Sequence, residues 1–232
     1  MKQNKSTFTT LLSRWVRLFT GLAFIGFSIA FMKHANLGLG PWDVLNDSLA
    51  GLTGVRLGTV SIVVGAIVLL LWIPVREKPG IALIPSILFI GVFTNIGMAL
   101  VESASSAFLR GAWLITGILL ASFGSALYLG SQLGAGPRDG LMLGLSRKTG
   151  WNVGRTRTVL EVLVLIVGWI LGGAVGIGTV ISGLTIGPAI QFIAGKTGQQ
   201  LGNQGLITPP SDGARSYLRT KKEQMGHLLE LV

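Results

Sequence analysis

Six apolar stretches, each long enough to cross a bilayer as an α-helix, dominate the pattern of hydrophobic and polar positions along this chain. They cover residues 15–32, 57–75, 81–101, 112–129, 153–171 and 177–194. Two shorter segments, residues 41–52 and 137–148, are too polar to span and begin at Gly-Pro pairs, which are typical of helix starts. The pattern predicts an all-α membrane protein with six transmembrane helices and two short helices.

The chain also contains an internal duplication. LGLGPWDVL, residues 37–45, occurs again in altered form as LGAGPRDGL, residues 133–141, and aligning Pro41 with Pro137 gives an offset of 137 − 41 = 96 residues. The same offset, without a gap, pairs further identical residues on both sides of the motif, including Gly21 with Gly117 and Gly80 with Gly176. We infer two repeats, residues 15–101 and 112–194, each with three spans and a GPxD helix after its first span.

Three spans per repeat is an odd number, so the two repeats must have opposite orientations in the membrane. Inverted-topology repeats of this kind are a common construction of secondary transporters. The GPxD helices would meet near the centre only if both re-enter the membrane. The opposite orientations also offer a reason why Trp42 and Val44 are replaced by Arg138 and Gly140 in the second copy.

The composition agrees with a protein of the lipid bilayer. Half of the 232 residues are hydrophobic and 12% are charged, and the mean hydropathy is +0.65, which disfavours a soluble domain. The chain has no cysteine, which excludes disulfides, thiolate metal sites and thiol catalysis. Its two histidines, His34 and His227, are far apart in sequence, so we predict no metal site and no cofactor.

The net charge of +10 is explained by topology rather than by nucleic-acid binding, because the basic residues lie between apolar segments. With a cytoplasmic N-terminus, residues 1–14, and a cytoplasmic basic tail, residues 203–232, 16 of the 19 lysines and arginines fall on the cytoplasmic side. Only Lys33, Arg56 and Arg110 fall outside. A signal peptide is the competing interpretation of the first apolar stretch, but no small-residue cleavage site follows it.

The repeated motif is the first candidate site. Glycines before a proline allow a sharp turn and leave the first amides of a helix unpaired, and such a helix start attracts anions. The candidate substrate- or ion-binding residues here are Gly40, Pro41, Asp43, Gly136, Pro137 and Asp139. The alternative is that both aspartates only cap their helices and offset the helix dipole.

Three polar residues within spans are further candidates. Glu161 lies about two turns inside the fifth span. It is either a proton or cation site, or its charge is neutralised by Arg157 in an i, i+4 pair. Asn95 and Gln191 are 96 residues apart, and we expect them to face the other repeat. They either connect helices or contact a substrate.

Several further segments resemble one family: TGVRLGTV, KPGI, LGAGPRDGLM, TGWNVGRTRTVLE and GIGTVISGLTIGPAIQF, together with LGLGPWDVL. In these motifs the chain resembles the YczE-like family of bacterial integral membrane proteins over residues 15–194. The resemblance implies a multi-span protein of the bacterial cytoplasmic (inner) membrane and gives no substrate.

Two functions are consistent with these features. The first is a secondary transporter or permease-like protein for a small solute, anionic or zwitterionic to suit the helix starts; with six spans, a homodimer is compatible with this function. The alternative is a non-transporting scaffold or regulator that acts through the basic loop 138–157 and the tail. We predict no enzyme and no catalytic residue, because no hydrolase or metalloprotease motif is present. An intramembrane aspartyl dyad of Asp43 and Asp139 is the third alternative, and the predicted placement of the two at opposite membrane sides argues against it.

Overall fold

A computed structural model of the chain describes residues 3–77 and 79–196. These residues form nine α-helices and contain no β-strand. The helices are α1 (Gln3–Ala35), α2 (Pro41–Thr53), α3 (Leu57–Leu70), α4 (Trp72–Val75), α5 (Leu83–Leu100), α6 (Ala107–Gly130), α7 (Pro137–Thr149), α8 (Val153–Ile170) and α9 (Ile177–Lys196). The basic tail predicted at 203–232 lies outside the described residues.

Four segments are long and apolar enough to cross a membrane: Leu11–Ala35, Leu57–Val75, Leu83–Leu100 and Ala107–Gly130. Helix α8 carries three charged side chains, Arg155, Arg157 and Glu161, and the apolar part of α9 is shorter, Ile177–Ile190. The described part of the protein is therefore all-helical, with four segments that could span a membrane. That α8 and α9 also cross the membrane stays a prediction.

The second predicted span, residues 57–75, consists of two helices that break at Leu71. Pro74 explains the break, because proline has no N–H to donate to the carbonyl of Leu70, where α3 ends. The short α4 that follows carries Trp72, which is 3% exposed and belongs to a core with Val68, Leu83 and Leu141. The break thus directs a large aromatic ring into the protein interior.

Helices α1 and α6 pack along each other at the centre of the bundle. A Cβ atom added at Gly21 would lie 2.6 Å from the carbonyl oxygen of Gly124, and one added at Gly117 would lie 3.1 Å from the carbonyl oxygen of Ser28. Small residues therefore allow the two backbones to touch, as is usual where membrane helices associate without a hydrophobic driving force. Helices α5 and α9 pack on the outer sides of α1 and α6, respectively.

The loops that lead into α2 and α7 are held by the starts of distant helices. The Gly178 amide donates to the Leu37 carbonyl oxygen at 2.7 Å, and the Ala82 amide donates to the Leu133 carbonyl oxygen at 3.0 Å. Both loops contain a glycine with positive φ, Gly38 at 112° and Gly134 at 124°, which residues with a side chain adopt only with strain. These contacts fix the positions at which the two GPxD helices begin.

Candidate functional site

The starts of α2 and α7 face one central cavity. Its volume is about 280 Å³, close to the lower end of the range for small-molecule sites. Gly40, Pro41 and Asp43 line it from α2, and Gly136, Pro137 and Asp139 line it from α7. The remaining wall comes from α1, α3, α5, α6, α8 and α9. Two segments that are far apart in sequence therefore share one site inside the helix bundle.

An ion pair joins the two helix starts across the cavity. Arg138 Nη2 donates to Asp43 Oδ1 at 3.2 Å, and the side chains are 35% and 16% exposed, respectively. The Arg138 guanidinium also lies over the Trp42 ring, 5.3 Å from its centroid. A guanidinium on an aromatic face gains a cation–π attraction in addition to the ion pair. Arg138 is therefore held from two sides at the start of α7.

A second ion pair lies on α8. Arg157 Nε donates to Glu161 Oε1 at 2.8 Å, one helical turn away, and both residues line the cavity. The i, i+4 pair with Arg157, one of the two interpretations of Glu161 from the sequence, is present in the structure. It does not remove Glu161 from the site, because the pair as a whole faces the cavity.

Asp139 is the one carboxylate of this cavity that makes no salt bridge or hydrogen bond with another side chain of the described residues. Arg138, Arg157 and Glu161 line the same cavity as Asp139. The described lining carries three carboxylates, Asp43, Asp139 and Glu161, and two guanidiniums, Arg138 and Arg157. With all five ionised, the formal charge of the lining is 2 − 3 = −1.

The Tyr128 hydroxyl, from α6, is a further polar group at this place. Tyr128 is 5% exposed and lines the cavity, and a Cβ atom added at Gly136 would lie 2.9 Å from its hydroxyl oxygen. Although the Gly136 amide lies beside this oxygen, the hydroxyl completes no hydrogen bond of acceptable geometry within the described chain. A buried hydroxyl without a partner is costly unless a ligand or water satisfies it.

Helix α7 is positioned from behind by α4. Trp72 Nε1 donates to the Pro137 carbonyl oxygen at 2.9 Å, and a Cβ atom added at Gly140 would clash with the Trp72 ring. Only glycine at position 140 therefore allows this tryptophan to support the start of α7. The contact with Trp72 thus helps to position the first turn of α7, which carries Arg138 and Asp139.

Seven of the nine candidate residues line the cavity: Gly40, Pro41, Asp43, Gly136, Pro137, Asp139 and Glu161. The side chain of Gln191 lies outside the described residues. Gly40 and Gly136 are the N-cap residues, and Asp43 and Asp139 lie in the first turns of their helices, where a carboxylate offsets the helix dipole. Their carboxylates also belong to the cavity.

Asn95 is not part of the cavity lining. Its Oδ1 accepts from the Gly58 amide at 2.9 Å, and its Nδ2 donates to Thr59 Oγ1 at 3.1 Å. Both partners lie at the start of α3, so the expectation that Asn95 contacts the other repeat is wrong. The Asn95 side chain on α5 thus satisfies a free backbone amide and a hydroxyl at the start of α3. This is a structural role between two neighbouring helices.

Three residues of the site were not among the sequence candidates. Arg138 looked like a loop charge and Arg157 looked like a partner that neutralises Glu161, although both line the cavity. Tyr128 carried a weak signal, because it is one of only two tyrosines and lies within a predicted span. The offset of 96 matches Tyr128 with Met32 and Arg157 with Ser61. Met32 and Ser61 also line the cavity, but neither carries a charge.

The comparisons with known proteins agree with a membrane protein of this type. Residues 12–195 match the model of DUF6198, which is described as a family of unknown function. The chain belongs to this family. It is 32% identical over 186 residues to the uncharacterized membrane protein YczE of Bacillus subtilis, which covers 78% of this chain and 86% of that protein.

Two other relatives are similar over most of their length. An uncharacterized protein of Haemophilus influenzae is 35% identical over 175 residues, which are 75% of this chain and 80% of the relative. The uncharacterized protein YyaS of Bacillus subtilis is 24% identical over 166 residues, which are 70% of this chain and 83% of the relative. No solved structure matches the chain. The YczE-like family suggested by the sequence motifs is thus confirmed.

Proposed function

We propose that this protein is a secondary transporter or permease-like protein of the bacterial inner membrane that moves a small solute through the central cavity. The observation that carries the proposal is the meeting of both GPxD helix starts, with two ion pairs, in one cavity inside a bundle of apolar helices. Charged groups are costly within a membrane protein and usually mark the path of a substrate or ion.

Inverted repeats are part of the proposal, and symmetric contacts support them. The hydrogen bond from Gly178 to Leu37 and the one from Ala82 to Leu133 join residues that are exchanged by the offset of 96. The same exchange relates the close approach of Gly21 to Gly124 with that of Gly117 to Ser28. Reciprocal contacts of this kind are expected if a pseudo-two-fold axis in the membrane plane relates two halves. We propose six spans with both termini in the cytoplasm.

A scaffold or regulator that acts through the basic loop 138–157 and the tail is the second candidate. The first and last basic residues of that loop, Arg138 and Arg157, line the cavity and pair with carboxylates there. Arg147, Lys148 and Arg155 remain exposed near the end of α7 and the start of α8. The basic surface is therefore smaller than the sequence suggested, and this favours transport.

Solute flux in proteoliposomes tests the proposal. We expect reconstituted protein to accumulate or exchange at least one member of a radiolabelled panel of amines, amino acids and carboxylates, and Glu161→Gln to reduce the flux at least tenfold. The physical reason is that Glu161→Gln leaves Arg157 without its partner and changes the charge of the cavity.

The exposed Glu102 provides the matched control, because it lies outside the cavity lining. Glu102→Gln should keep the full flux. If a broad panel shows no flux through the folded protein, the transporter proposal is wrong; equal flux in Glu161→Gln and Glu102→Gln would remove Glu161 from the site.

Single cysteines test the inversion without background, since the chain has no cysteine of its own. Val55 and Trp151 are exposed, matched by the offset of 96, and lie just before the starts of α3 and α8. We expect Val55→Cys to react with a membrane-impermeant maleimide from the outer face and Trp151→Cys only from the cytoplasmic face. Reaction of both from the same face would contradict inverted repeats.

A further inference from the structure

The ionisable groups of the cavity are unequally paired. Asp43 is bonded to Arg138, and Glu161 is bonded to Arg157, so both guanidiniums already have a carboxylate partner. Asp139 is left as the carboxylate without such a partner in the described lining. An anion that enters this cavity would meet a surplus negative charge, whereas a cation would balance it.

The Tyr128 hydroxyl is the second group that lacks a partner. Asp139 lines the same cavity as this hydroxyl, and Gly136, three residues before Asp139, lies beside it. A tyrosine hydroxyl can donate or accept a hydrogen bond, whereas an ionised carboxylate can only accept. A ligand group that satisfies both must therefore be a donor, and an ammonium group supplies three N–H donors together with a positive charge.

We propose that the cavity binds a small organic ammonium ion, whose nitrogen donates to the carboxylate of Asp139 and to the hydroxyl of Tyr128. This inference rests on the proposed function, and it names the substrate class of the same site. It replaces the anionic solute that the helix starts alone suggested, because Asp43 and Asp139 already place negative charge at those starts.

The rest of the wall suits a short apolar substituent on that nitrogen. Ile25 and Ile29 from α1, Ile87 and Ile90 from α5, and Met142 from α7 line the same cavity. A hydrated metal ion would gain little from such a wall, and the described residues contain no group of three side chains able to hold a metal. An alkylammonium ion uses both the charge and the apolar surface.

Thermal stabilisation of the purified full-length protein by n-butylammonium tests the inference. Butanoate of the same chain length, neutral 1-butanol and sodium chloride at equal ionic strength serve as comparison compounds. We expect n-butylammonium to raise the unfolding temperature in a saturable way and the other three not to, because only a ligand that binds the folded state stabilises it in this manner.

Two variants locate the binding group. Asp139→Asn should weaken the apparent affinity for n-butylammonium about thirtyfold or more, since it removes the charge partner. Tyr128→Phe keeps the ring and should weaken it about tenfold, since it removes one hydrogen bond to a charged group. Glu102→Gln is the matched control and should bind as the unchanged protein does. If Asp139→Asn does not fold, Tyr128→Phe still tests the site.

The possible failures are distinguishable. Stabilisation by butanoate instead of n-butylammonium, or unchanged n-butylammonium affinity in Tyr128→Phe, overturns the ammonium assignment and leaves transport intact. Flux of a solute that has no amino group, with no competition from n-butylammonium, also overturns it. Specific n-butylammonium binding without flux of any amine in proteoliposomes supports the site and contradicts the transporter.

Discussion

Gly21→Ala will destabilise the folded protein by about 2–3 kcal/mol, because a methyl group has no room where α1 crosses α6. The added carbon would lie 2.6 Å from the Gly124 carbonyl oxygen and 2.7 Å from the Tyr128 amide nitrogen. Both are backbone atoms, so no side-chain rotation relieves the clash and the helices must separate. Unfolding of the purified protein in mixed micelles, followed by circular dichroism, measures the loss.

Gly51→Ala is the control for this substitution. Gly51 lies on α2, and a carbon added there meets nothing within 4 Å, so alanine should stabilise the helix by up to about 1 kcal/mol through its higher helix propensity. Because Gly21 approaches Tyr128, we also expect Gly21→Ala to weaken ligand binding. If both alanine variants show the same stability, α1 and α6 do not cross at Gly21.

The ion pair between Asp43 and Arg138 should give the second large effect. Arg138→Gln leaves a carboxylate at the start of α2 without its partner, and we expect a loss of about 2 kcal/mol in stability together with a loss of flux of at least tenfold. The pair is partly exposed to the cavity, which keeps the expected loss below that of a fully buried pair. The same unfolding and flux measurements apply.

The double variant Asp43→Asn with Arg138→Gln isolates the interaction. We expect it to recover at least about 1 kcal/mol relative to the sum of the single variants, because neither polar side chain then leaves a charge unpaired. Flux should not recover, since the cation–π contact of Arg138 with Trp42 is lost as well. Strict additivity of the two stability losses would show that the pair does not connect the halves energetically.

The ion pair also suggests how the cavity could open. Asp43 lies in the first turn of α2 and Arg138 in the first turn of α7, and these helices belong to different predicted repeats. On the proposed function, rocking of one repeat against the other, a usual motion of secondary transporters, would separate these two helix starts. The two intrarepeat contacts of Asn95 and the Arg157–Glu161 pair would move as units with their own halves.

The chemistry of the cavity is distributed unequally between the repeats. Asp43 is the only ionisable residue that the first repeat contributes to the described lining, whereas Arg138, Asp139, Arg157 and Glu161 belong to the second. At the positions matched to Arg157 and Glu161, the first repeat has Ser61 and Gly65, which line the cavity as well. Matched positions of the two predicted repeats thus line one cavity, and most of its charged side chains come from the second repeat.

Local patterns in the sequence predict much of the helical architecture. The predicted short helices 41–52 and 137–148 are α2 (Pro41–Thr53) and α7 (Pro137–Thr149), because Gly-Pro starts and the glycines that follow, Gly54 and Gly150, are local signals. The offset of 96 also identified both halves of the cavity. Asn95 was misplaced because periodicity gives the face of a helix but not the neighbour that the face meets.

By itself the sequence determined the apolar helices and the two GPxD starts and offered the pairing of Arg157 with Glu161 as one of two interpretations, since each depends on residues close together along the chain. Only the tertiary structure decided that Trp42 and Arg138, matched positions of the two repeats, stack on each other. It also gave a packing reason for the change from Val44 to Gly140: the Val44 side chain packs beside Gly173, whereas Gly140 makes room for Trp72. Contacts between residues about 70 to 130 positions apart are set by how helices pack, and no local pattern records them.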